Sequence, residues 1–135
     1  MSIAQPALDA LHVHGPETRI AVIGASNDPA KYGNIIVKNL LRHGYTVLPI
    51  HPSESEIAGL PAHAHVAEIA GPIAIADLVV PPKVALRVIA ELDPQQVGAI
   101  WLQPGSFDDA VVAAARAKFA HVVAGDCIMV VANWA

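Results

Sequence analysis

The chain has 135 residues, 54% of them hydrophobic but only 4% aromatic, and a formal charge of −4 with eight Lys and Arg. That length supports one domain, residues 1–135, with an aliphatic core of Val, Ile, Leu and Ala. So few cations exclude a general nucleic-acid surface, and no apolar run approaches the roughly 20 residues that span a bilayer. One cysteine, Cys127, excludes an intrachain disulfide framework and suits a reducing compartment, so a cytoplasmic protein is expected.

The first segment, residues 1–17, reads as an N-terminal arm with a short helix over Pro6 to His12, broken by Gly15 and Pro16 and expected to pack on the domain. Arg19 to Ile23 is a central strand, apolar on both faces. A small, polar loop, GASNDPAK, follows, and then Ile36, Val37, Leu40 and Leu41 recur at helical spacing, with Lys38, Asn39 and Arg42 outward. Gly44 is placed to end that helix as its C′ residue.

Tyr45 to Ile50 reads as the second strand, ended by Pro49, His51 and Pro52. Residues 53–72 are irregular, with one helical turn at Val66 to Ile69. Ile73 to Val80 is a buried strand closed by Pro81 and Pro82, and Pro82 fits the first turn of a helix over Lys83 to Leu92. Val84, Val88, Ile89 and Leu92 share a face of that helix. Ala99 to Leu102 is a fourth strand, and Ser106 is the expected cap of the next helix, buried through Val111, Val112, Ala115 and Phe119. His121 to Ala124 is the last strand, and Cys127 to Trp134 a terminal helical turn or two.

Strands and helices that alternate in this way require right-handed crossovers, hence an α/β, Rossmann-like, three-layer fold. Its parallel sheet should have about five main strands in the order 2-1-3-4-5. A ligand then belongs at the carboxyl ends beside the switch between strands 1 and 3. Those ends are Gly24 to Lys31 and Pro81 to Pro82, with His51 to Pro52 and Gln103 to Gly105 on the same rim.

The first loop is neither G-x-G-x-x-G, since Ser26 and Pro29 stand where glycines are needed, nor a P-loop. What it offers an anion is Gly24 for close approach, the Ser26 hydroxyl, backbone amides running into a helix, and the Lys31 charge. A phosphate-bearing ligand is the expectation.

Five blocks, GASNDPAKYG, YTVLPIHP, LVVPP, IWLQPG and DCIMV, occur in order over residues 19–131. In them the chain resembles the small stand-alone CoA-binding proteins related to the CoA-binding domain of the succinyl-CoA synthetase alpha subunit. The resemblance implies coenzyme A or an acyl-CoA held across the strand ends, in a carrier or sensor without catalysis of its own. It implies Ser26, Asn27 and Lys31 at the phosphates, within a site of Gly24, Ala25, Tyr32, Gly33, His51 and Pro52. Val80, Pro81 and Pro82 would lie along the nucleotide, and Leu102 and Gln103 near the adenine or pantetheine. The synthetases carry a catalytic histidine on a further domain, so their activity is not expected of this chain.

Relatives of the synthetases often place a basic residue just after the second strand's proline, facing the 3′-phosphate of CoA. This chain has Ser53, Glu54, Ser55 and Glu56 there, and each carboxylate would repel that phosphate by about 1 kcal/mol at surface dielectric. CoA and plainer adenine nucleotides such as NAD therefore both stay open, as does an enzyme or a regulatory module using the same cleft, with His51 as its titratable rim group. A homodimer is compatible with so aliphatic a chain, and no protein partner is legible.

The remaining candidates favour structural roles. Trp101 is expected in the core. Cys127 is expected to be a small buried apolar residue, with a mixed disulfide to the CoA thiol conceivable only if it faces the cleft. His12 with His14, and His63 with His65, have strand-face spacing for a metal but lack nearby Cys or acidic partners.

Overall fold

The computed structural model describes residues 7, 9–11 and 15–134. Its five-stranded sheet has β1 (Arg19–Ile23), β2 (Thr46–Ile50), β5 (Ile73–Leu78), β6 (Val97–Leu102) and β7 (Val122–Ala124) in the order β2-β1-β5-β6-β7. Every neighbouring pair is parallel. With main strands counted alone, this is the expected 2-1-3-4-5.

Side-chain alternation divides the core in two. Ile20 and Val22 face one side, beneath helices α1 (Tyr32–Arg42) and α4 (Ile128–Trp134). Ala21 and Ile23 face the other, beneath α2 (Pro82–Glu91) and α3 (Asp109–Lys118). Both faces are thus covered, which is why these strands are continuous apolar runs. Trp101 is fully buried, as expected, and its indole N–H donates to the Asp126 carbonyl at 2.7 Å.

The expected helix over Pro6 to His12 lies only partly within the described residues; residues 7 and 9–11 are helical, and Ala7 and Leu11 enter the core under α1. Tyr45 donates its hydroxyl to the Leu11 carbonyl, and burial pushes its pKa up to about 12. Helix α1 ends as expected. Gly44 has φ +93°, its N–H reaches the Leu41 carbonyl, and the Tyr45 N–H reaches that of Leu40, a Schellman closure.

Three expectations change. A two-stranded hairpin, β3 (Glu56–Ile57) and β4 (Leu60–Pro61), stands in the segment expected to be irregular, which otherwise holds only a 3-10 turn at Val66–Glu68. Its Ala58-Gly59 turn has φ of +53° and +80°, a type I′ geometry usually announced by Asn-Gly. The third main strand stops at Leu78, because the Val79 N–H still meets the Ile23 carbonyl but that of Val80 turns to the Ser106 hydroxyl. Ser106 therefore closes a strand, and Asp108 caps α3 by accepting from the Val111 N–H at 2.9 Å.

The outer edge of β2 is closed by His63, whose N–H donates to the Pro49 carbonyl and whose carbonyl accepts from the His51 N–H. Pro49 sits where its missing N–H costs no bond to β1. Among the described residues, no helix is long and apolar enough to cross a membrane.

Candidate nucleotide-binding site

The strand ends meet at a crest built from two glycines. Gly24 has φ +96°, and a Cβ there would lie 2.2 Å from the Val79 carbonyl oxygen. A Cβ on Gly33 would lie 2.0 Å from the Gly24 carbonyl oxygen. The three segments can touch only because both side chains are missing, so α1 begins directly over the end of β1. The space that a side chain at Gly24 would take is filled by the protein's own backbone.

The loop from Ala25 to Lys31 is held by its own polar groups. The Ser26 Oγ accepts from the Asp28 N–H at 3.0 Å, Asp28 Oδ1 accepts from the Ala30 N–H at 3.0 Å, and Asn34 Nδ2 donates to the Ser26 carbonyl at 2.9 Å. Lys31 is the N-cap residue of α1 and makes no side-chain capping bond. The first amides of α1 are therefore not capped by a side chain, and the dipole and the exposed Lys31 favour an anion there.

Asn27 is occupied differently from what its expected role at a phosphate requires. Its Nδ2 donates to the Glu56 carbonyl at 2.8 Å and reaches Glu54 Oε2 at 3.4 Å, while Oδ1 accepts from the Ala58 N–H. It ties the loop to the β3–β4 hairpin. His51 is equally engaged, since its Nδ1 accepts from the Ser53 and Glu54 N–H groups at 3.1 and 3.0 Å. That pattern places the ring proton on Nε2.

A cavity opens on each side of the crest. The larger, about 420 Å³, lies on the α2 side and is lined by Gly24, Pro52, Val66, Val80, Val84 and Val88, with His65, Arg87 and Glu91 among its polar groups. Its volume falls within the range usual for small-molecule sites. The smaller, about 160 Å³, lies on the α1 side between Tyr32, Val79, Gln103, Pro104 and Cys127. Val79 and Val80, adjacent in sequence just past the end of β5, line different cavities.

Of the residues singled out from the sequence, Gly24, Pro52 and Val80 line the larger cavity, and Tyr32 and Gln103 the smaller. Ser26 and Lys31 lie on the loop between them. Pro81 and Pro82 form the start of α2. Ala25 and Leu102 are buried in the two cores and reach neither cavity.

Cys127 departs from its expected burial: it is half-buried, lines the smaller cavity, and has Sγ 3.4 Å from Gln103 Nε2. Gln103 is in turn fixed by the Ile128 N–H, which donates to Oε1 at 2.9 Å. The histidine pairs assemble no metal centre among the described residues, and His12 and His14 lie outside them.

Sequence reasoning passed over the cavity wall formed by α2. Val84, Arg87, Val88, Glu91 and Leu92 follow an i, i+3, i+4, i+7, i+8 stripe, so a face of this helix borders the cavity while Ala85 and Ile89 pack on the sheet. The repeat was visible, but the hollow beside it was not. Asp77 was also passed over. It is fully buried on β5, flanked by Val22 and Trp101, with both carboxyl oxygens unpartnered, and burial pushes its pKa well above the ordinary 3.8.

A parallel sheet in this order, with a helix N-terminus at its switch point and cavities on both sides, defines a Rossmann-like domain. Within that class the chain belongs to the CoA binding domain family, whose profile matches residues 18–133. It is 37% identical over 91 residues to the ADP-forming acetate–CoA ligase II subunit alpha of Pyrococcus furiosus, covering 67% of this chain and 20% of that protein. It therefore spans about a fifth of that ligase subunit. The uncharacterized protein YneT of Bacillus subtilis is 28% identical over 112 residues, 83% of each chain.

Among solved structures, a conserved hypothetical protein of Pyrococcus furiosus superposes with a TM-score of 0.76 at 39% identity, covering 84% of this chain and 97% of that one. A hypothetical protein from Pyrococcus horikoshii superposes with a TM-score of 0.80 at 27% identity, covering 99% and 98%.

Proposed function

We propose that the chain binds coenzyme A, free or acylated, across the crest and serves as a carrier or sensor. The adenosine occupies the larger, mainly apolar cavity. The diphosphate lies over the loop at the start of α1, where the Ser26 hydroxyl, the first amides of the helix and Lys31 can meet it. The pantetheine arm then descends toward Gln103 and Cys127.

The observation that carries this reading is the pair of cavities separated by a helix N-terminus without a side-chain cap. A ligand with an adenosine at one end, an anionic centre and a long neutral arm at the other suits three such subsites in a row. Binding without turnover is favoured by His51, whose Nδ1 is committed to two backbone amides and leaves one ring nitrogen for chemistry.

Calorimetric titration with CoA and NAD tests the assignment. CoA should bind and NAD should not, and heat from NAD alone would sink it. Ser26→Trp should abolish CoA binding while the melting temperature shows a folded chain. Retained affinity would move the diphosphate off the loop.

A further inference from the structure

We propose that Arg87, on the cavity face of α2, takes the 3′-phosphate of the CoA ribose and thereby sets the preference for CoA over nucleotides that lack it. This inference rests on the CoA-binding reading and names the group that reads its most distinctive charge.

In the lining of the larger cavity Arg87 is the permanent cation, and among the described residues no oxygen accepts a hydrogen bond from it. Two cations outside that lining are committed. Arg19 Nη1 donates to the carbonyls of Ala70 and Pro72, and Lys118 Nζ to those of Ile89 and Ala90. The natural partner for Arg87 on the helix is Glu91, four residues on. Glu91 is engaged across the cavity instead, with Oε2 3.5 Å from His65 Nδ1. Arg87 thus retains an unspent guanidinium beside an apolar slot that fits an adenine.

The acidic segment after β2 does not oppose it there. Glu54 meets Asn27 with its carboxylate and Glu56 with its backbone carbonyl, and Ile57 plugs the core beneath α1, so the Glu54 carboxylate belongs to the loop side of the crest. In this assignment adenosine lies in the larger cavity with its 5′-oxygen toward the loop and its 3′-oxygen toward Arg87. Arg87 lies one helical turn along α2 from Val84, which lines the same cavity as Gly24 and Val80. A guanidinium offers a phosphate two parallel N–H donors, which a lysine cannot.

The experiment is calorimetry with CoA and 3′-dephospho-CoA on the unaltered chain, Arg87→Gln and Arg87→Lys. The unaltered chain should prefer CoA by about tenfold, the factor a charged hydrogen-bond pair supplies. Arg87→Gln should remove that preference by weakening CoA alone, and Arg87→Lys should restore part of it. Unchanged affinity for 3′-dephospho-CoA shows that the variant's cavity is intact. If Arg87→Gln keeps the preference, weakens both ligands equally, or if the unaltered chain has no preference, the assignment to Arg87 is overturned while CoA binding stands. If CoA does not bind the unaltered chain at all, the CoA-binding reading fails.

Discussion

Both carboxyl oxygens of Asp77 lie among apolar neighbours, and the proton it keeps makes folding pH-dependent. The folded chain holds a proton that the unfolded chain releases once the pH passes the ordinary 3.8. Stability therefore falls as pH rises from there, by up to about 1.4 kcal/mol per pH unit, until the folded-state pKa is passed. Asp77→Asn should flatten this fall in urea melts taken from about pH 4 upward. A profile as steep as the parent's would mean that the carboxyl is not protonated in the fold. Gly33 makes the opposite kind of point, since its requirement is steric. Gly33→Ala drives a methyl into the Gly24 carbonyl and should cost about 1–3 kcal/mol in the same melts, and an unchanged midpoint would show that the crest is looser than its contacts imply. Gly24 and Gly33 were both legible as special in the sequence. Their reason was not, because the contact that fills each missing side chain comes from Val79, just past β5, or from the other glycine, and such contacts leave no local pattern.

At the level of elements, the strands and long helices follow from apolar periodicity and from Pro82 and Gly44, each a local signal. The β3–β4 hairpin does not. Its strands are two residues each, too short for alternation to register, and its turn places Ala58 where Asn is the usual choice. Left-handed backbone costs a non-glycine residue about 1–2 kcal/mol, and Asn tolerates it better than Ala. Ala58→Asn should therefore raise the unfolding midpoint by the equivalent of about 0.5–1 kcal/mol; no gain would mean that the turn's cost is offset by contacts of the Ala58 methyl. The same element bears on the binding loop, because Asn27 is held by the backbone of Glu56 and Ala58. A loop that looked self-contained in the sequence is braced from 29 residues away.

For the whole molecule, topology was the most legible feature. Alternating strands and helices with right-handed crossovers leave few arrangements, and the switch point follows from the order alone. The cavities were not legible, since a hollow depends on how far α2 stands off the sheet and on where residues 64–67 return against it. Sequence reasoning placed the crest and missed the walls, which is why Arg87 escaped notice while Lys31 did not. The sheet's borders complete the picture. β7 is three residues long, and β2 is closed by His63 and carries Pro49, so a chain that is more than half hydrophobic offers little open backbone to a second copy. Two such chains that associate must therefore do so through helical surfaces or side chains, and not by extending one continuous ladder from molecule to molecule.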